Sequence, residues 1–192
     1  MYSLLRKHIE KFTHLPEKDW QLLVPHLSER NIKKNQLFSK EGKVCTEIGF
    51  IISGQMRHYY VKDGEEKTTY FYFENNLVTD YISCISGRPG SLTIEALTDC
   101  SIIVFPYAAL QKMYSLSHAW EKFGRLVAEY LAAGLEERMS GLLLMSPEER
   151  YGQLLSGNKH KILERIPQHL IANYLGITPV SLSRIRNRAG KK

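Results

Sequence analysis

Apolar positions recur along this chain with two different periods, and the change of period divides it. Over residues 15–27, Trp20, Leu23, Val24 and Leu27 fall on one helical face, with Pro16 and Glu17 near the start where a proline and an acid suit a helix N-terminus. From residue 30 to 105 short apolar runs alternate with turn signals every eight to twelve residues, which predicts an all-β sandwich or barrel. Ile48, Phe50 and Ile52 alternate before Ser53-Gly54 turns the chain. The run 56–61 follows, and Lys62-Asp63-Gly64-Glu65 predicts a tight type I′ hairpin into the Thr, Tyr and Phe-rich stretch 67–73. Runs 91–97 and 101–105 close the β region, and Pro106 opens a short helix over 107–113.

The helical period then takes over. Residues 118–145 carry Trp120, Phe123, Val127, Tyr130, Leu131, Gly134, Leu135, Met139 and Leu142 at three- and four-residue steps. Such a helix is about 40 Å long at 1.5 Å per residue. That is more than a domain this small covers on one side, so the stripe predicts a partner helix, with packing on the chain's own β-domain as the plainer alternative. Ser146-Pro147-Glu148-Glu149 reads as a capping box that stops this helix and starts another over 147–155, which Ser156-Gly157-Asn158 ends.

Residues 166–188 predict a helix-turn-helix, the device that lays its second helix in the DNA major groove. Leu170, Ile171, Tyr174 and Leu175 give the first helix an apolar face, and Ala172 is small where a second helix must cross. Gly176 stands where a helix ends in a left-handed residue. Ile177 plugs the corner, Thr178 is the N-cap and Pro179 the first helical position. Leu182 and Ile185 face inward, which leaves Thr178, Val180, Ser181, Ser183, Arg184 and Asn187 as candidates for DNA contact, Val180, Ser181, Ser183 and Arg184 on base edges. Arg165, Arg186, Arg188 and the pair Lys191-Lys192 suit phosphates.

A plain helical hairpin would share this spacing, and charge separates the two. Residues 151–192 hold eight of the chain's 26 Lys/Arg but one of its 20 Asp/Glu, so the net +6 lies wholly on this segment. With 192 residues, 43% hydrophobic and 24% charged, the chain has room for one ordinary domain and a small second one. No apolar run is long enough for a membrane span and the N-terminus has no signal-peptide core, so no membrane partner is expected and the cytoplasm is the default location. Cys45, Cys84 and Cys100 are too few and too scattered for an iron–sulfur cluster, and read as buried thiols rather than disulfides or a zinc site.

An antiparallel β region with a glycine-punctuated hairpin, a long apolar helix and then Ile-Ala-Asn-Tyr-Leu-Gly-Ile-Thr-Pro-Val-Ser-Leu-Ser-Arg-Ile-Arg together resemble the Crp/Fnr superfamily of bacterial transcription regulators. Looser landmarks are Phe38, Gly42, Ile51-Ile52-Ser53-Gly54, Asp63-Gly64 and Glu95-Ala96. The resemblance implies an α+β chain: a cyclic-nucleotide-binding-like jelly roll over 1–116, a dimerisation helix over 117–145 and a helix-turn-helix domain over 146–192. It implies a homodimer on double-stranded DNA, with a small-molecule effector and RNA polymerase as further partners.

Two departures bear on function. Nucleotide binders carry Gly-Glu and then an Arg in a cassette that falls on residues 76–93, where this chain has Thr79-Asp80, then Arg88 slightly early, with Pro89 or Gly90 at the Arg position. Thr79, Asp80, Arg88, Ser91 and Thr93 are therefore the candidate effector pocket. Leu135 and Glu136 stand where cyclic-AMP receptors place hydroxyl residues against the base. A cyclic phosphate without a positioned Arg loses a charge-assisted contact, so cyclic AMP is not the expected effector and its identity stays open. The second helix opens Pro179-Val180 where the best-known members have Arg-Glu, which implies a different operator. The ending without strands after that helix is that of a compact branch.

Two other classes compete. Jelly rolls also house metal-dependent enzymes, but those need converging histidines, and here only His58 lies in the β region and no His-x-His occurs. An adaptor acting through a protein partner without DNA would not need the basic C-terminal segment.

Overall fold

A computed structural model of the chain describes residues 2–156 and 160–189. The expected stop at Ser156-Gly157-Asn158, Lys159 and the Lys191-Lys192 pair lie wholly or partly outside them. Two compact units emerge: residues 1–60 with 71–131, and residues 61–70 with 132–192.

The first unit opens with α1 (Tyr2–Ile9) and α2 (Glu17–Leu23). The helix expected over 15–27 ends early, in a 3-10 turn at Val24–His26, because Pro25 has no N–H to continue the helical ladder. Eight strands follow: β1 (Ser28–Ile32), β2 (Leu37–Ser39), β3 (Glu47–Ser53), β4 (Met56–Lys62), β5 (Glu65–Tyr72), β6 (Leu77–Val78), β7 (Thr93–Ala96) and β8 (Cys100–Pro106). They form two four-stranded sheets, ordered β1-β8-β3-β6 and β2-β7-β4-β5. The pairings of β8 with β1 and β3, and of β7 with β2 and β4, are antiparallel, as the jelly roll requires.

Two apolar clusters divide the side chains of β3 and β8. Ile51, Met56, Val78, Ile94, Ile102 and Val104 pack between the sheets, while Phe50, Ile103 and Phe105 pack outward on Leu5, Ile9, Trp20, Leu23, Trp120 and Phe123. Ile102 to Phe105 is thus a continuous apolar run because both faces are buried. The same fact corrects the one-sided alternation expected of Ile48, Phe50 and Ile52: Ile51 is fully buried and Ile52 only half-buried. Trp120 donates its indole N–H to the Asp19 carbonyl at 2.9 Å, which anchors α5 (His118–Leu144) to α2.

Between β6 and β7 lies α3 (Tyr81–Ser86), capped by Asp80, whose Oδ1 accepts the Ser83 amide at 3.1 Å. Its six residues are too few to set up a helical period in the sequence. After β8, α4 (Tyr107–Leu116) runs longer than the expected 107–113, with Pro106 as its N-cap.

In the second unit the hairpin tip is a type I′ turn, with φ of 54° at Asp63 and 78° at Gly64. The capping box forms as expected: Ser146 N donates to Glu149 Oε2 at 2.7 Å, and Glu149 N to Ser146 Oγ at 3.3 Å. It starts α6 (Pro147–Ser156), followed by α7 (His160–Arg165), α8 (Gln168–Tyr174) and α9 (Pro179–Ala189). Tyr151, Leu154, Ile162, Ile166, Leu170, Ile171, Leu182 and Ile185 are their shared core. No helix among the described residues is long and apolar enough to cross a membrane.

Candidate functional site

The turn between α8 and α9 is a Schellman motif built around Gly176, at φ +70°. Ile177 N donates to the Ala172 carbonyl and Gly176 N to that of Asn173, both at 3.0 Å. Two arginines outside the predicted site satisfy the carbonyls that follow. Arg138 donates to the Tyr174 carbonyl and lays its guanidinium 3.9 Å from the Tyr174 ring centroid, while Arg150 donates to the Leu175 carbonyl at 2.9 Å. Thr178 Oγ1 accepts the Ser181 amide at 3.2 Å and so caps α9. The angle of the second helix is therefore fixed from both ends of the turn.

At about 100° per residue, Val180, Ser183, Arg184 and Asn187 form one stripe of α9, opposite the buried Leu182 and Ile185. All four are exposed. Arg186 and Arg188 lie exposed on the two flanks of this stripe, Arg188 within 3.3 Å of Glu148. Ser181 sits on a flank as well, half-buried, with its hydroxyl 3.0 Å from that of Thr178. Arg165 is exposed at the end of α7.

A second contact of α8 was not foreseen. Asn173 accepts the Thr68 amide at its Oδ1 and donates its Nδ2 to the Glu66 carbonyl, each at 2.7 Å. One side chain thus completes the open edge of the β4–β5 hairpin as another strand would. Asn173 lies beside Tyr174 in the motif, and nothing in its spacing separates it from a solvent-facing helical residue.

The five residues proposed for the effector pocket do not share one environment. Thr79 donates its hydroxyl to the Glu47 carbonyl at 2.8 Å. Thr93 is buried and accepts the Glu41 amide at 3.2 Å. Ser91 and Arg88 are exposed. Asp80 is 2% exposed, and its Oδ2 has no hydrogen-bond partner among the described residues. A methyl group on Gly90 would lie 1.8 Å from that oxygen, so only glycine lets the loop rest on the carboxyl group. The loop is held there by Gly42 N to the Gly90 carbonyl at 2.8 Å and Gly90 N to the Lys43 carbonyl at 2.9 Å. A cyclic phosphate does not fit this arrangement: the buried polar group is acidic, the space beside it is filled by backbone, and the cassette's arginine points to solvent.

Residues 29–117 match the family model of the cyclic nucleotide-binding domain. No curated protein matches the sequence significantly. Among solved structures, FixK2 from Bradyrhizobium japonicum is 20% identical with a TM-score of 0.71, over 86% of this chain and 85% of that one. The catabolite activator protein of Thermus thermophilus is 19% identical with a TM-score of 0.58, over 94% and 86%. A transcriptional regulator assigned to the Crp/Fnr family from Eubacterium rectale is 22% identical with a TM-score of 0.66, over 89% and 82%. The chain has the Crp/Fnr fold.

Within that fold, α5 is the element whose surface is least satisfied. Trp120 and Phe123 are buried, but Tyr130, Leu135, Met139, Leu142, Leu143 and Leu144 are all exposed. Among the described residues no group of three or more His, Cys, Asp or Glu is placed to hold a metal ion.

Proposed function

We propose that the chain is a homodimeric DNA-binding transcription regulator of the Crp/Fnr type, acting in the cytoplasm and not as an enzyme. The observation that carries this reading is the stripe of four exposed side chains on α9, opposite a buried pair, in the segment that holds the chain's whole excess charge. Val180, Ser183, Arg184 and Asn187 read base edges, with Arg184 suited to a bidentate bond with guanine. Arg186 and Arg188, on opposite flanks, meet the phosphates on the two walls of the groove, joined by Arg165 and the terminal lysines. The exposed stripe of α5 pairs with its copy, and two-fold symmetry sets the reading helices about 34 Å apart. Residues 1–116 sense, 117–145 dimerise and 146–192 bind DNA. The effector is not cyclic AMP, since the Asp80 carboxyl group and the Gly90 backbone occupy the cassette.

Selection of binding sites from random duplex DNA tests the reading. The expected product is a pair of half-sites in two-fold relation, centred about ten base pairs apart. Arg184→Ala relaxes the preference at one position per half-site, and Arg188→Ala weakens all sequences alike and lowers the salt slope by about one unit. Recovery of no common sequence at low salt would refute it.

A further inference from the structure

Cys45 and Cys84 are 39 residues apart in sequence, yet the fold brings their thiols to the same two oxygen atoms. Both converge on Thr79 Oγ1, Cys84 Sγ at 3.1 Å and Cys45 Sγ at 3.6 Å, and on the Glu47 carbonyl at 3.8 and 3.5 Å. The backbones are tied alongside: the Cys45 amide donates to Ser83 Oγ at 2.9 Å, and Ser83 Oγ donates to the Arg88 carbonyl at 2.6 Å. The pair lies one layer below the surface. Each residue is 8–9% exposed, but Val44, Thr46 and Ile85 beside them are open to solvent. Cys100 makes the contrast. It is 2% exposed and, among the described residues, its thiol hydrogen-bonds the backbone carbonyls of Gln55 and Thr98.

We infer that Cys45 and Cys84 are a dithiol oxidised by hydrogen peroxide to a reversible disulfide, which staples α3 of the effector cassette to the loop before β3. Cys45 is the attacking sulfur. The neighbouring Cys84 thiol outweighs burial and brings Cys45 down to about 5, while the same interaction pushes Cys84 far up. The Cys45 thiolate attacks one peroxide oxygen: an S–O bond forms, the O–O bond breaks, and the departing hydroxide leaves as water with the proton that the thiol gave up. The Cys84 sulfur then attacks Cys45 sulfur. The S–S bond forms, the S–O bond breaks, and the second water carries off the Cys84 proton. Two thiols lose two electrons and one peroxide becomes two waters.

The test is a peptide map of the full chain, reduced, exposed to hydrogen peroxide and digested without reductant. The expected product is one cross-linked peptide joining Cys45 to Cys84, reversed by dithiothreitol, with Cys100 still free. Cys45→Ser and Cys84→Ser abolish it, and Cys100→Ser does not. In the reduced chain at pH 6, Cys45 takes up iodoacetamide about tenfold faster than Cys100. Should a serine variant fail to fold by circular dichroism, the wild-type map decides alone. Sulfinic acid on Cys45 without a cross-link, or cross-links to Cys100 or between chains in place of the Cys45–Cys84 bond, would overturn the proposal.

Discussion

Leu135 offers the sharpest test of the proposed dimer. It lies on the exposed stripe of α5 and is 67% exposed in the single chain. Full burial of a leucine side chain contributes about 1.5–3 kcal/mol. Two-thirds of that is still available to a partner, about 1–2 kcal/mol per helix. A two-fold interface doubles it, so Leu135→Ala removes about 2–4 kcal/mol from association. At 1.4 kcal/mol per tenfold, the dimer dissociation constant rises about 30- to several-hundred-fold. The substitution leaves the monomer's core intact, because what it deletes faces solvent there; melting of the fully dissociated protein therefore stays unchanged. Sedimentation equilibrium over a dilution series reads the constant directly. Leu135→Glu with Met139→Glu takes the effect to completion and gives monomers that bind operator DNA poorly. A wild-type mass of 22.2 kDa at micromolar concentration, or an unchanged constant in Leu135→Ala, would refute the reasoning.

Four further outcomes follow from particular contacts. Asn173→Ala removes both hydrogen bonds to the β4–β5 hairpin and, at about 1 kcal/mol each, raises amide exchange at Thr68 by about tenfold or more; unchanged exchange would count against the clamp. Thr178→Ala deletes the cap of α9 and costs about 1 kcal/mol, read as a lower melting temperature of the C-terminal helices. Glu95→Ala removes the carboxylate whose Oε2 accepts from two nitrogens of Arg57, a residue 8% exposed, at 2.7 and 2.9 Å; a loss of about 3 kcal/mol in urea unfolding is expected. Burial pulls His58 down to about 4 from its ordinary 6.5, so the unfolded chain binds its proton first. Stability from this group is complete above pH 6.5 and falls as pH drops toward 4, by up to about 3 kcal/mol, and His58→Gln flattens that slope in denaturant titrations.

Much of the helix-turn-helix was legible in sequence because its signals are local. A glycine forced to positive φ at 176, a hydroxyl three residues before the amide it caps, and a buried pair at 182 and 185 each act over a few residues of one chain segment. The capping box at Ser146 and the Asp63-Gly64 turn are of the same kind. Short-range geometry leaves a fixed offset in sequence, and a reader can count it. Where burial comes from two sides the offset vanishes: Ile102 to Phe105 has no period because the sheet of β8 is covered on both faces. The cassette depended still more on tertiary structure. Its residue types were visible, but that Thr79 turns toward two thiols, that Gly90 rests on Asp80 and that Asn173 holds a hairpin about a hundred residues away were not. Those contacts join segments whose separation follows no rule, so only the folded chain, which sets every loop at once, decides them.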